Sequence, residues 1–281
     1  MDTWSIKTFL TLAEVKRLSI CAERLCITKS AVSSRIKQLE NQLDQSLFER
    51  STQGMTLTLA GERFYQHAQI MQQRWEHAKA DVKRSEQSAG TLRIATHNTL
   101  ASDFLPRWGS ELRKHDPQLT LHMSAFYSSE IVAQVAAGTL DIGLIFVADA
   151  TAGLIVEQAF ADDLIMVASK PLLTHQITAE DYLYIDWGWG YNAAHSERLP
   201  HLQSSLQTCG LGEAGLPWLL ANGGCAYLPK RTVQSYLQSR RLYQVTDAPV
   251  FERPVFATYA REPHNPQLVR QASDALKIFS R

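Results

Sequence analysis

Apolar residues recur at helical spacing through the N-terminal part of the chain. The spacing predicts one helix over about residues 2–16, a second that Ser19 caps, and a third that begins at Thr28 or Ser30. Only residues 26–29 separate the second helix from the third. Two short helices joined by so short a turn form a helix-turn-helix. The apolar positions that define the three helices are Ile6, Phe9, Leu10, Ala13, Ile20, Ala22, Leu25, Val32, Ile36, Leu39 and Leu43.

Two further patterns complete the N-terminal part. Residues 47–50 and 55–58 flank a polar tip that contains Gly54, which predicts a two-stranded wing. A long helix is predicted over about 58–86, with apolar residues alternately four and three positions apart. This spacing is a heptad seam, and because one helix cannot bury it alone, it predicts pairing with a second copy. The seam consists of Phe64, Ala68, Met71, Trp75, Ala78 and Val82.

From residue 92 onward, short apolar strands alternate with helices, which favours βαβ units and a mostly parallel sheet. The chain therefore divides into a winged helix-turn-helix over 1–58, a linker helix and hinge over 59–90, and an α/β domain over 91–281. Strands are predicted at 92–96, 119–125, 141–146, 164–168, 182–186, 225–228 and 255–259, and helices at 100–115, 128–137, 201–209, 215–221 and 265–279.

Composition and charge change this picture little. The 281 residues carry 28 basic and 28 acidic side chains, and residues 1–90 hold 13 of the basic and 10 of the acidic ones. That small excess has the sign expected of a DNA-binding segment but would not by itself have indicated one. No apolar run reaches the roughly 18 residues of a membrane helix, so no membrane partner is expected. Four scattered cysteines without a CxxC pair favour the cytoplasm, and neither they nor any motif predicts a cofactor.

An ordered set of motifs, from Ala22 to Gly61, resembles the LysR-type transcription regulators. Gly223-Gly224-Cys225-Ala226-Tyr227-Leu228-Pro229 also has a counterpart in that family, and a narrower resemblance to one subgroup rests on the N-terminal segment and on Asp186-Trp187-Gly188. The motifs are Ala22-Glu23-Arg24-Leu25, Thr28-Lys29-Ser30-Ala31-Val32-Ser33, Ile36, Leu39-Glu40, Leu43, Leu47-Phe48-Glu49-Arg50, Leu57-Thr58 and Ala60-Gly61.

The resemblance implies an N-terminal all-α winged helix-turn-helix with a long linker helix, and a C-terminal α/β domain of two subdomains that resembles a type 2 periplasmic binding protein. Subdomain I would span about 91–161 and 254–281, and subdomain II about 162–253. The implied partners are double-stranded promoter DNA with an inverted repeat and further copies of the chain, as a dimer or tetramer. A small organic anion and RNA polymerase are further candidate partners.

The sequence departs from the family at three positions of the third helix. Lys29 stands where the family usually has Gln, and Ser34 where it often has Arg, so the preferred DNA sequence cannot be taken from the family. Asp44 replaces the Gly that usually follows the helix, and Asp tolerates the left-handed conformation that this position requires.

The N-terminal residues of a recognition helix contact base edges in the major groove. Lys29 can donate to guanine, and the hydroxyls near it can bond bases or phosphates. The alternative is an ordinary solvated helix face, but the surrounding motifs favour DNA. The predicted DNA-binding residues are Thr28, Lys29, Ser30, Ser33, Ser34, Arg35 and Lys37 on the third helix, with Arg50 and Thr52 in the wing.

Ligands of open α/β sheets bind beyond the carboxyl ends of the strands, and helix N-termini there favour anions. Two turns after the first two strands, with Trp187, are predicted to line the effector cleft. Capping alone explains the hydroxyls equally well, and core packing explains the aromatic run Tyr184, Trp187, Trp189 and Tyr191 equally well. The predicted effector-binding residues are Asn98, Thr99, Ser102, Tyr127, Ser128, Ser129 and Trp187.

Other classes of function receive less support. An enzyme is not predicted, because no nucleophile elbow, phosphate loop, zinc-protease motif or dinucleotide glycine run occurs. A DNA-coating architectural protein remains an alternative. No metal site is predicted, since nothing completes one around His195, Glu197 and His201. A redox pair of Cys209 and Cys225 lacks an electropositive setting, and Cys21 and Cys26 are predicted to be small buried residues.

Overall fold

The computed structural model describes residues 3–51, 54–82, 90–148 and 151–280. Its contacts divide the chain into two units, with the boundary between residues 87 and 88. The N-terminal unit confirms the predicted helix-turn-helix and wing. Its elements are α1 (Thr3–Val15), α2 (Leu18–Arg24), α3 (Lys29–Leu43), the antiparallel strands β1 (Phe48–Ser51) and β2 (Gly54–Leu57), and the long helix α4 (Leu59–Val82).

Local side-chain chemistry explains why the motif residues of this unit fold as they do. Thr28 caps α3 by accepting a hydrogen bond from the Ala31 amide at 3.1 Å, and Asp44 ends that helix in the left-handed conformation with φ 51°. Glu40 Oε1 accepts from the backbone amide of Leu47 at 2.8 Å, so it fixes the start of the wing against α3. Gly61 is required because a Cβ there would lie 2.2 Å from the Leu47 carbonyl oxygen.

Two details of the turn differ from the prediction. The buried face of α2 contains Cys21 and Ala22, whereas Ile20 is 37% exposed. Cys21 faces α1 and its thiol lies 3.8 Å from the Thr8 carbonyl oxygen. Cys26 is exposed rather than buried, because it takes the left-handed conformation (φ 54°) that ends α2 and directs the chain into the turn.

The seam of α4 divides into two halves. Ala68 is completely buried in the core of the N-terminal unit, and Phe64 and Met71 pack partly buried against the same core. The ring centroids of Phe9 and Phe64 are 5.1 Å apart. Ala68 is therefore covered by the core of its own unit and is not left exposed for a partner chain, which corrects its assignment to the pairing surface. Along the second half, Trp75 is 44% exposed, Val82 is 85% exposed, and Ala78 is exposed as well.

The C-terminal unit contains two lobes, each built on a five-stranded sheet. With the strands numbered along the chain as in the list that follows, the first sheet has the order β4-β3-β5-β12-β6 and the second has the order β11-β7-β10-β8-β9. The elements are β3 (Thr91–His97), α5 (Phe104–His115), β4 (Thr120–Phe126), α6 (Ser128–Ala136), β5 (Ile142–Ile145), β6 (Leu154–Ala161), β7 (Leu164–Ala168), β8 (Tyr182–Ile185), α7 (Trp189–Arg198), β9 (Gln207–Cys209), α8 (Gly212–Asn222), β10 (Cys225–Pro229), α9 (Lys230–Gln238), β11 (Tyr243–Gln244), β12 (Pro254–Ala260) and α10 (Pro266–Leu276).

The chain crosses between the lobes twice, between β6 and β7 and again before β12. The two crossings lie side by side as an antiparallel pair: the amide of Asp162 donates to the Arg253 carbonyl at 2.8 Å, and Leu164 forms a bridge with Phe251. Because β12 returns from the second lobe, it runs antiparallel to both of its neighbours, β5 and β6.

Two predictions for this unit are wrong, and several of its elements were not predicted. Both sheets are mixed rather than mostly parallel, because β12 runs antiparallel to its neighbours in the first sheet and β7 runs antiparallel to its neighbours in the second. The helix predicted at 201–209 is a three-residue 3-10 turn followed by the strand β9, which pairs with β8. The strands β6 and β11 and the helices α7 and α9 were not predicted. Among the described helices, none combines the length and apolar character that a membrane span requires.

Candidate functional site

The outer face of α3 is a continuous polar surface. Lys29, Ser33, Ser34 and Lys37 are all exposed on it. The face extends beyond the predicted residues, because Ser34 and Lys37 line a shallow groove together with Gln38, Asn41 and Gln42. The prediction did not include these three amides, although their spacing places them on the same helix face as Ser34.

The remaining predicted DNA-binding residues have different surroundings. The Thr28 and Ser30 hydroxyls lie 2.9 Å apart, and both residues are exposed, although the Thr28 hydroxyl also caps α3. Arg35 is half-buried and held against α1, where its Nη1 lies 3.4 Å from the Thr8 hydroxyl and its guanidinium 5.5 Å from the centre of the Trp4 ring. Arg50 is exposed on β1, and Thr52 lies outside the described residues.

A cleft of about 690 Å³ lies between the two lobes of the C-terminal unit. Five of the predicted effector-binding residues line it: Asn98, Thr99, Tyr127, Ser128 and Trp187. Ser102 and Ser129 are exposed and do not line it, which corrects those two assignments.

The two turns that follow β3 and β4 differ in whether an α-helix begins there. Residues 98–100 form a three-residue 3-10 helix, and α5 begins only at Phe104, so no α-helix N-terminus lies at the first turn. The second turn does open a helix, α6. Its N-terminus already carries the Glu130 carboxylate, which accepts from the Tyr127 amide at 3.0 Å. The Ser128 hydroxyl accepts from the Phe146 amide at 3.2 Å and so joins α6 to the end of β5.

Sequence reasoning missed the cation of the cleft, Arg253. Its guanidinium lies 3.4 Å from the centre of the Phe146 ring and 4.8 Å from the centre of the Trp187 ring. Burial lowers the pKa of Arg253 to about 10, which Asp162 only partly offsets, and the group stays charged at neutral pH. No local signal could have found it, because Arg253 belongs to no motif and reaches the cleft only through the second crossing.

A second arginine joins the lobes beside the cleft. Arg231 of α9 donates from Nε to the Asp162 carboxylate at 2.6 Å and from Nη2 to the Thr99 carbonyl at 2.8 Å, and its Nη1 pairs with Asp103. Asp162 is only 3% exposed, and Arg253 Nη1 lies 3.6 Å from it. The Thr99 turn of the first lobe is therefore fixed to a helix of the second.

His97 completes the polar wall of the cleft without adding charge. Burial, together with the nearby Arg253 cation, lowers the pKa of His97 to about 4. Its Nδ1 lies 3.1 Å from the Thr99 hydroxyl. At neutral pH the cleft wall formed by His97, Asn98, Thr99 and Ser128 is therefore polar and uncharged.

The aromatic run after β8 belongs mainly to the core of the second lobe. Tyr191 is buried, and its hydroxyl lies 3.3 Å from that of Tyr182, which in turn lies 2.8 Å from His195 Nε2. Burial lowers the pKa of His195 to about 4. Trp187 is also buried, donates to the Tyr227 carbonyl at 2.9 Å, and still lines the cleft. His195 therefore packs with tyrosines, and the described residues contain no group of three His, Cys, Asp or Glu placed to hold a metal.

Cys209 and Cys225 lie on strands that do not touch. Strand β8 separates β9 from β10, so the two cysteines are at least roughly 9 Å apart, beyond the Cα separation of a disulfide. Burial also raises the pKa of Cys225 to about 12, so its reactive thiolate is disfavoured.

Both units match models of one protein family. Residues 4–62 match the bacterial regulatory helix-turn-helix protein model of the lysR family, and residues 85–279 match the LysR substrate binding domain. The chain belongs to the LysR family. It is a transcriptional regulator with a helix-turn-helix DNA-binding domain and an effector-binding domain, in a family of regulators rather than enzymes.

Similar proteins agree with this assignment. The chain is 29% identical to the HTH-type transcriptional regulator HdfR of Yersinia pestis, over 96% of this chain and 94% of that protein. The narrower resemblance of the N-terminal segment and of Asp186-Trp187-Gly188 is to this HdfR-like subgroup. Among solved structures, CbnR, a LysR family transcriptional regulator, has a TM-score of 0.79 at 16% identity, with each chain fully covered. Full-length CbnR complexed with its target DNA has a TM-score of 0.78 at 17% identity, with 99% of each chain covered.

Proposed function

We propose that this regulator binds an inverted repeat in promoter DNA through α3 and the wing, and that a small organic anion in the cleft controls its activity. The exposed polar face that begins at Lys29 carries the DNA part of the proposal, because its lysines and hydroxyls suit both phosphates and base edges. Lys29 contacts a base, and Lys37 contacts the backbone.

Assembly and further partners follow from the same proposal. Two copies pair through the exposed end of α4 and place two DNA-binding units on half-sites about one helical turn apart. The pair associates further into a tetramer or remains a dimer, and RNA polymerase is the partner through which a promoter-bound regulator acts.

The first prediction tests base contact. Lys29→Ala should weaken binding by about 1–3 kcal/mol and relax the preference at one base pair, because a bidentate contact to guanine is lost. Lys37→Ala is the matched control: it removes the same charge from the same helix, and should weaken all sequences alike and lower the salt slope by about one. Binding is measured with the purified chain on a randomised DNA library at two salt concentrations. An unchanged base preference in Lys29→Ala would remove Lys29 from base readout.

The proposal that a small organic anion binds the cleft rests on the charge and polarity of the residues that line it. Arg253 is its buried cation, and its first-lobe wall is polar but neutral. An anion bound between Arg253 and that wall gains from the cation and meets no charge on the wall, while the carboxylates of Asp186 and Glu252 line other parts of the cleft. If the ligand binds the closed cleft better than the open one, it shifts the balance between them by that difference in affinity.

The second prediction tests the cleft. Organic acids that stabilise the parent chain in a thermal-shift series should stabilise Thr99→Val/Ser128→Ala less, because that variant removes two hydroxyls of the cleft wall. Ser102→Ala/Ser129→Ala is the control, since its hydroxyls are exposed outside the cleft and the ligand shift should be retained. Equal stabilisation of the parent and Thr99→Val/Ser128→Ala would show that these hydroxyls only cap and join secondary structure.

A further inference from the structure

Four glycines line the cleft from the second lobe, at the starts of α7 and α8: Gly188, Gly190, Gly210 and Gly212. The fold itself requires two of them. Gly188 has φ 101°, which favours glycine, and a Cβ on Gly212 would lie 2.3 Å from the Trp187 ring. These two glycines therefore need no ligand to explain them.

Neither the backbone conformation nor the packing requires glycine at positions 190 and 210. Neither has a positive φ, and a Cβ on either would meet no atom within 4 Å. Gly190 lies in the first turn of α7, where alanine favours the helix more than glycine does. The protein thus has no side chain at two positions where a Cβ would contact no other protein atom.

The cleft also contains a cation whose hydrogen bonding is incomplete. Arg253 is 9% exposed, and its Nε is buried with no hydrogen-bond partner among the described residues. Phe146 and Trp187 both lie against its guanidinium. A carboxylate in the cleft would pair with the charged guanidinium, and a ring attached to that carboxylate would meet the aromatic surface of Phe146 and Trp187 beside it.

We propose that Gly190 and Gly210 determine effector size, by keeping space for the apolar body of a broad, flat organic acid whose carboxylate pairs with Arg253. This inference rests on the proposed function, because it takes the cleft as the effector site. The lowered pKa of Arg253 agrees with it, since a buried guanidinium that Asp162 only partly compensates gains from a second anion.

The test compares 1-naphthoate, a broad flat acid, with acetate, which has only a methyl group attached to its carboxylate. Thermal shift and calorimetric titration are carried out on the full chain and on Gly190→Ala/Gly210→Ala. The variant should fold normally and unfold at the same or a higher temperature without ligand, because the added methyl groups meet no atom. It should lose about tenfold or more in affinity for 1-naphthoate, the effect of a misplaced methyl group in a packed ligand site.

Ala193→Ser is the matched control. It adds one heavy atom at an exposed position of α7 outside the cleft and should bind 1-naphthoate like the parent. If 1-naphthoate binds the parent and the glycine variant equally, or if only acetate binds, the size role of the glycines is overturned while the cleft remains the effector site. If neither acid binds the parent, the inference about a broad flat acid is overturned, while the effector part of the proposed function is decided by the wider series of organic acids.

Discussion

Replacing Arg231 with Met should destabilise the C-terminal unit by about 3–5 kcal/mol, because the substitution leaves a buried carboxylate without its closest cation. Arg231 makes charged contacts with Asp162 and Asp103 and donates to the Thr99 carbonyl. Asp162 is 3% exposed, and its remaining cation, Arg253, is 3.6 Å away.

Calorimetric unfolding of the full chain measures this loss in the transition of the C-terminal unit. Lys230→Met is the control, because Lys230 is the exposed neighbour on α9 and its removal should change stability little. The double variant Arg231→Met/Asp162→Leu should recover only part of the loss, since it removes the unpaired carboxylate but leaves the buried Arg253 without its partner. A loss below about 1 kcal/mol in Arg231→Met would show that the ion pairs contribute little beyond surface charges.

Local chemistry explains why the N-terminal unit could be predicted from the sequence. Thr28 as a cap, Asp44 as a left-handed helix end and Gly54 in the wing each act on their immediate neighbours, and each takes the predicted position. The errors there concern which side of a helix is covered. Ala68 has the spacing of an interface residue, but spacing alone does not distinguish a partner chain from α1.

In the C-terminal unit, the features that were predicted wrongly depend on residues that are distant along the chain. The direction of β12 depends on the chain crossing to the second lobe and returning, which no residue of β12 reports. Strand β6 was missed because it is an edge strand whose centre, Glu157 and Gln158, is exposed and polar. The predicted parallel sheet was therefore wrong in the part of the topology that long-range connections determine.

The residues that line the cleft also include some that the sequence predicts and some that it does not. Asn98, Thr99, Tyr127 and Ser128 could be predicted, because the ends of parallel strands meet at one edge of a sheet. Arg253 could not, since it reaches the cleft only through the second crossing, and the glycines at the starts of α7 and α8 were not predicted, although Trp187 beside them was. Their roles depend on neighbours that are distant along the chain, such as Phe146 for Arg253.

Trp75→Asp/Val82→Asp should abolish pairing at micromolar concentration and lower DNA affinity by a factor on the order of 10²–10⁴. The first half of the α4 seam is covered within the chain, so these exposed apolar residues remain for a partner. Four aspartates at a two-fold interface would repel one another and leave no apolar contact. A monomer engages one half-site and loses the gain in effective concentration that links the second binding event to the first.

Gln69→Asp/Gln73→Asp is the matched control, because it adds the same charge to the same helix at exposed polar positions. Those positions lie roughly 120–180° around α4 from Trp75 and Val82 at about 3.6 residues per turn, so pairing should persist. Sedimentation measures the assembly state, and titration on a duplex with both half-sites and on one with a single half-site measures affinity. A monomeric Trp75→Asp/Val82→Asp chain should bind the two duplexes about equally, apart from the statistical factor of two. If it keeps the parental assembly and the parental preference for the longer duplex, the pairing surface lies elsewhere in the chain and the exposed end of α4 is not its site.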